Sequence, residues 1–447
     1  MTPEPTVPVP PPGCPAHDSG LRVPLYTAEY AADPQAYYAH LRHYGPAAPV
    51  EIAPGVEATL VTDHATALQL LQDSSNFRKD ARRWRDVAEG KIGPDSPVVP
   101  MLGYRPNAMF TDGAEHARLR QAITDTLARV DSRQLTEMAK RASEYLISQV
   151  AARGSIDLMN DYVKQLPLLV FNELFGCPAD IGDRVVFGIS GVFEGVNAEK
   201  ANAVLGQAVF ELVALKRAKP ADDVTSWLMR HEARLTDEEL VHQLILLLGA
   251  GAEPLRNLIG NTLHRLLTHD RYADGGLIDE AIDDTLWENP PMANYAPHYP
   301  ASDMEFGGMK LRAGDLVMVS MTAANTDPAL AAARKAGGRR AHLSWSAGPH
   351  ACPSKDIARL VTMVAIESLL NRLHDIELAV PEDSLTWRPG PFHRALAGLP
   401  CRFTPQVVQR PNPPRATETS PRVEHAGAGR RQERGGVWSS FLTWLKG

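Results

Sequence analysis

A chain of 447 residues with 44% hydrophobic and 22% charged residues can bury a large core, either as one multilayered fold or as two to three domains. Its formal net charge of −7 argues against general nucleic-acid binding and suits a soluble, cytoplasmic protein. Four cysteines, Cys14, Cys177, Cys352 and Cys401, stand far apart with neither zinc-site nor disulfide spacing, which points to a reducing compartment.

In chain order, residues 1–22 read as a disordered proline-rich arm, with no apolar run long enough for a signal peptide or membrane anchor. A short helix is expected over 34–44, a strand pair over 50–61 turned at Pro54-Gly55, and another helix over 64–73. His116 and Arg120 lie four apart on a predicted helix and so share a face, an arrangement suited to paired carboxylates. A long helix over 131–153 should stop at Gly154, and a shorter one over 161–175 should kink near Pro167.

The longest helix is expected from Thr236, where Thr236-Asp237-Glu238-Glu239 forms a capping box, to about His269. Its middle, 244–248, is apolar on every face, which places it inside the protein. Gly249-Ala250-Gly251 lacks the third glycine of a dinucleotide loop and sits inside this helical pattern, so that reading fails.

Cys352 follows a Gly/Pro/Ser turn and precedes a long apolar-periodic helix. Backbone N–H groups and a helix N-terminus there favour a negative sulfur able to ligate iron. After residue 403 the composition shifts to Pro, Arg, Glu, Thr and Gly, a disordered linker over 404–436. It ends in an aromatic tail over 437–447 that either folds back or docks on a protein or membrane surface.

On these residues the chain resembles the soluble bacterial members of the cytochrome P450 superfamily, whose haem loop reads Phe-Gly-x-Gly-x-His-x-Cys-x-Gly. Trp345, Gly348, His350 and Cys352 fall in register, while Ser346 and Ser354 replace two glycines. The resemblance covers roughly residues 23–403 and implies a mainly α fold, a large helical domain with a small β region, around haem b (iron protoporphyrin IX). It implies Cys352 as the iron ligand, with His116, Arg120, His350 and His298 on the propionates. His298 stands where the family has an arginine, from which pH-sensitive haem retention is expected.

In the long helix Ala250, Gly251 and Glu253 match the family's oxygen-activation motif, but Pro254 replaces its threonine. Glu253 is then the remaining proton-relay candidate. Asp284-Thr285-Leu286-Trp287 stands at the family's Glu-x-x-Arg, so that Asp284 needs another partner, for which Arg339 and Arg340 are candidates.

The resemblance implies a monooxygenase acting on a small apolar substrate. Without a flavin or iron–sulfur motif, electrons would come from a ferredoxin and ferredoxin reductase. The alternative is a haem-thiolate sensor or scaffold with impaired oxygen activation. The pocket itself should be built by the loop 87–110 and the helices over 184–216.

Overall fold

The computed structural model describes residues 22–195, 197–272, 277–332 and 340–407. The arm expected at 1–22, except residue 22, the linker at 404–436, except 404–407, and the tail at 437–447 lie outside the described residues, as does Arg339. The rest is mainly helical with a small β region, as expected.

Pro34 opens the helix Pro34–Leu41, with the Asp33 side chain accepting from the Ala36 N–H, and a 3-10 turn finishes it over Arg42–Tyr44. The expected strand pair is Ala47–Ala53 with Val56–Val61, antiparallel in the register Ala47↔Val61, and Gly55 takes φ +75° at the turn. These strands belong to a six-stranded sheet in the order Val23–Pro24, Ala47–Ala53, Val56–Val61, Val317–Ser320, Asn294–Pro300, Phe77–Arg78. Its far half matters for function, because pairing of Phe77–Arg78 with Tyr299 and Pro300 brings Lys79 under the irregular stretch at Ala296.

Pro167 does not kink a helix, as expected from sequence, but starts one. The chain runs as a π-helical segment Leu158–Val163, breaks, and restarts as Leu166–Leu174 with the proline in its first turn. A proline there forfeits no internal hydrogen bond, whereas inside a helix it would.

The central helix is Asp237–Thr268. Its capping box is present: the Thr236 hydroxyl accepts from the Glu239 N–H and the Glu239 carboxylate accepts from the Thr236 N–H at 2.8 Å. Glu239 also pairs with Arg118 on the helix Gly113–Leu127, and the buried Gln243 donates to the Leu119 carbonyl at 2.9 Å. Both contacts lock the helix bearing His116 and Arg120 against the central one. A large apolar core from Leu135, Leu146, Tyr162, Leu212, Leu244 and Leu369 surrounds that helix, and a second core lies on the sheet. No helix among the described residues is long and apolar enough to cross a membrane.

Candidate functional site

A cavity of about 300 Å³ opens between the central helix and the cysteine loop. Gly249, Ala250, Gly251 and Pro254 from the helix, and Trp345, His350 and Cys352 from the loop, all line it. A Cβ added at Gly249 would meet nothing within 4 Å, so that wall faces open space. One added at Gly251 would lie 2.8 Å from the Phe171 ring, so this glycine admits the aromatic.

The loop is held by its backbone. The Cys352 N–H donates to the Trp345 carbonyl at 2.7 Å, and Gly348 at φ +67° passes so close to the Leu71 carbonyl that any side chain would clash. Ser346 keeps a left-handed conformation, φ +60°, although it carries a Cβ, so the backbone shape outlasts the loss of glycine there. The Cys352 Sγ lies 3.5 Å from the Ser354 hydroxyl, just before the helix Lys355–Arg372 begins.

Beside the loop is a cluster of donors without an acid to match. Arg120 donates to the Ala351 carbonyl, and the His116 and His350 rings stack with centroids 4.0 Å apart. Burial, then the neighbouring cations, hold both histidines below their ordinary pKa, and the buried His116 Nε2 has no partner. Lys79, which the sequence reading missed, also lines the cavity. It is buried, and its Nζ makes one hydrogen bond, to the Pro297 carbonyl at 2.6 Å. The nearby Asp112 carboxylate is taken up by the backbone N–H groups of Lys79 and Asp80 at 3.0–3.3 Å. Burial pushes Lys79 down to about 7, with Asp112 opposing. No local pattern marks it, since a lone lysine just after a short strand reads as an exposed residue.

An orphaned imidazole nitrogen, a nearly unpartnered buried ammonium and a guanidinium resting on a carbonyl fit two carboxylates, and the cavity beside Cys352 fits the flat ring that would carry them. The residues present therefore suit haem.

His298 and Glu253, like His116, do not themselves line the cavity. His298 is buried near Lys79 and His350, with Nδ1 2.8 Å from the Ala296 carbonyl and its ring edge-on to Phe77. Burial, then Lys79, hold it well below its ordinary pKa in the haem-free protein. Glu253 is also absent from the wall. Its buried carboxylate pairs with Arg388 and, at 3.4 Å, with Arg256, while Arg388 reaches Glu194 at 3.1 Å. Burial alone would raise its pKa, but the two guanidiniums outweigh this and keep it ionised. It is a locked ion-pair member, not an acid facing the cavity.

Of the two expected partners of Asp284, Arg339 lies outside the described residues and Arg340 pairs with other acids. Asp284 accepts from Arg271 at 3.1 Å and from the Tyr272 hydroxyl. Arg340 instead approaches Asp279 at 3.5 Å and Asp283 at 3.9 Å, and Arg359 from the helix after Cys352 pairs with the same two acids. The brace beneath the loop is thus built on Asp283, one residue before the expected position. Trp287 is buried edge-on to His342, and Asn325 ties the Leu286 carbonyl to Leu343 and Ser344.

The rest of the cavity wall is apolar apart from Arg105 and Asn107 and comes from the expected segments: Met101, Arg105, Asn107, Met109 and Phe110 from the loop, and Ile189, Val192, Phe193 and Leu205 from the helices Ala179–Glu194 and Ala198–Ala218.

No family model matches the chain. It is 31% identical over 396 residues to 2-hydroxy-5-methyl-1-naphthoate 7-hydroxylase of Streptomyces carzinostaticus, covering 83% of this chain and 95% of that one. It is 31% identical over 400 residues to the cytochrome P450 monooxygenase PikC of Streptomyces venezuelae, covering 84% and 92%. Among solved structures it resembles CYP154C4 from Streptomyces sp. W2061 with a TM-score of 0.78 and 28% identity, over 86% of this chain and 99% of that one. Likeness sustained across nearly the whole length of these relatives, in sequence as well as in fold, reflects descent: the chain belongs to the cytochrome P450 family and is a haem b monooxygenase.

Proposed function

We propose that this enzyme inserts oxygen into a small, largely apolar molecule, with Cys352 as the iron ligand and His116, Arg120, His350 and Lys79 holding the haem propionates. The observation that carries the reading is the cavity that joins Cys352, the glycine-lined helix and the donors Lys79, Arg120 and His350. Bound haem supplies the iron that takes up dioxygen and the redox chemistry.

The chain's own residues supply the rest. The start of Lys355–Arg372 and the Ser354 hydroxyl stabilise negative charge on Sγ. Gly249 and Ala250 leave room above the ring. Pro254 has no N–H, so the Ala250 carbonyl lacks its helical donor and can hold water in the cavity wall. Protons then reach the site through ordered water instead of through Glu253. The apolar loop and helix side chains exclude bulk water and grip the substrate.

The first test is the absorption spectrum of the reduced, carbon monoxide-bound protein. A strongly red-shifted Soret band supports thiolate ligation by Cys352; a band typical of thiol or histidine ligation overturns it.

Electrons come, in this reading, from a ferredoxin and its reductase in the cytoplasm. Lys355 is exposed beside the loop, while the charge of Arg340 is already met by Asp279 and Asp283. Lys355→Glu should slow reduction by ferredoxin severalfold at low salt and little at high salt, where screening removes the attraction. Unchanged reduction kinetics at low salt would remove Lys355 from the docking face.

Lys79 yields a pH prediction for the haem-free protein. An unfolded chain holds a lysine near about 10.4, but the folded one holds Lys79 at about 7. Between these values the unfolded chain binds more protons, so this group makes stability rise with pH. The buried thiols of Cys177 and Cys401, pushed up to about 12, pull the other way. The difference between wild type and Lys79→Met isolates the lysine. Denaturant unfolding at pH 7, 8 and 9 should show wild type gaining on the variant at each step. Haem, by placing a carboxylate against the ammonium, should shrink that gain.

A further inference from the structure

Arg105 is a third cation in the cavity wall besides Lys79 and Arg120, and it has no acidic partner among the described residues. Its Nη2 donates to the Pro100 carbonyl at 2.6 Å and to the Asn202 side-chain oxygen at 2.8 Å. Both acceptors are neutral and both bonds use one nitrogen. Of the five N–H bonds of a guanidinium, those on Nε and Nη1 are left unused.

The titratable neighbours do not compensate the charge. The Tyr295 phenol donates to the Met101 carbonyl at 3.1 Å and is held protonated by burial. His242 is held neutral, pushed down to about 3 by burial and then by Arg105 itself. Burial works against the guanidinium too, lowering its own pKa. Around it the wall is apolar, with Phe193, Leu205 and Leu247. A cation kept in such a wall without a counterion has its partner supplied from outside.

A purely structural role, tying the loop to the helix Ala198–Ala218 through Asn202, would need only the two bonds already made. It leaves the charge and the remaining donors unexplained.

We propose that Arg105 binds the carboxylate of the substrate, which is therefore a largely apolar monocarboxylic acid. One cation matches one negative charge, and a guanidinium donates to a carboxylate through charge-assisted hydrogen bonds that a neutral amide or ester cannot equal. The assignment rests on the haem reading above in one respect: Lys79 and Arg120, which line the same cavity, are committed there to the propionates, so that Arg105 is the cation left for substrate.

The test is calorimetric titration of the purified holoprotein with dodecanoate and with dodecanamide, which differ only in the charged group. Wild type should bind the carboxylate about tenfold or more tightly than the amide, the discrimination expected for a hydrogen bond to a charged group. Arg105→Gln should abolish that preference and leave amide affinity unchanged, and Arg105→Lys should restore part of it. Equal affinity for the two ligands in wild type, binding of neither, or a preference that survives in Arg105→Gln would overturn the proposal. A structural tie would show itself as an equal loss for both ligands in the glutamine variant. Calorimetry does not depend on the haem band, so a protein without thiolate-ligated haem would be recognised from its spectrum beforehand and would count against the haem reading alone.

Discussion

Replacing Cys352 with serine is expected to remove the red-shifted band of the reduced carbon monoxide complex and to cut monooxygenation by more than the roughly 10–100-fold that follows loss of a group that merely orients a ligand. The substitution removes one sulfur and changes little else: the Cys352 N–H bond to Trp345 and the Arg120 bond to Ala351 are made by or to the backbone and survive. A serine hydroxyl is a far weaker acid than a thiol, so the negative charge that the helix start favours is lost with the sulfur. Haem content, measured separately, should fall less than activity, because the propionate donors remain. A variant that kept the shifted band would mean that another residue ligates the iron.

Arg359→Ala should be the most destabilising single change near the site, costing about 3–5 kcal/mol. Arg359 pairs with Asp283, which is almost wholly buried, and with the half-exposed Asp279. Burial opposes its charge, but the Asp283 hydrogen bond prevails and raises its pKa. With the guanidinium gone, Asp283 keeps only Arg340, 3.9 Å away and itself 70% exposed, a distance and exposure at which an ion pair contributes little. The acid then sits buried without a counterion.

Denaturant unfolding should show a lower midpoint with an unchanged slope. The double variant Arg359→Met with Asp283→Leu should recover much of the loss, since an apolar pair leaves no charge stranded. If the single variant unfolds like wild type, the brace beneath the cysteine loop lies elsewhere, for example in the hydrogen bonds of Asn325 to Leu286, Leu343 and Ser344.

These two residues also show how unevenly the site could be read in the sequence. Cys352 announced itself through its neighbours, because a tight turn followed by an apolar-periodic helix is a local pattern. The brace did not. Sequence register placed it on Asp284 and sought its partner at Arg339 or Arg340, whereas Asp283 is the acid that turns inward and Arg359, well along the chain, is the base that meets it. Adjacent residues on a helix point about 100° apart, so an error of one position exchanges a buried acid for a partly exposed one. Glu253 failed in the same way, since motif register placed it at the oxygen site while its helix face carries it toward Arg388.

The helices were legible for the reason Cys352 was. The capping box at Thr236, the proline at position 34 and the turn at Gly55 satisfy backbone groups within a few residues of themselves, so their local sequence was sufficient. Pro167 shows the limit even there: a proline can bend a helix or begin one, and the packing of the two segments decided for a beginning.

By itself, then, the sequence determined the mainly helical fold, the long central helix and the cysteine loop, because each is encoded in periodicity, caps and turns that act over a few residues. Only the tertiary structure decided that Lys79 joins Arg120 and His350 in one wall, with His116 and His298 buried beside them, that Glu253 turns away to Arg388, and that Arg105 faces the cavity without an acid. Those facts depend on which charges are buried together, and the free energy of a buried charge is set by neighbours that can lie hundreds of residues away along the chain.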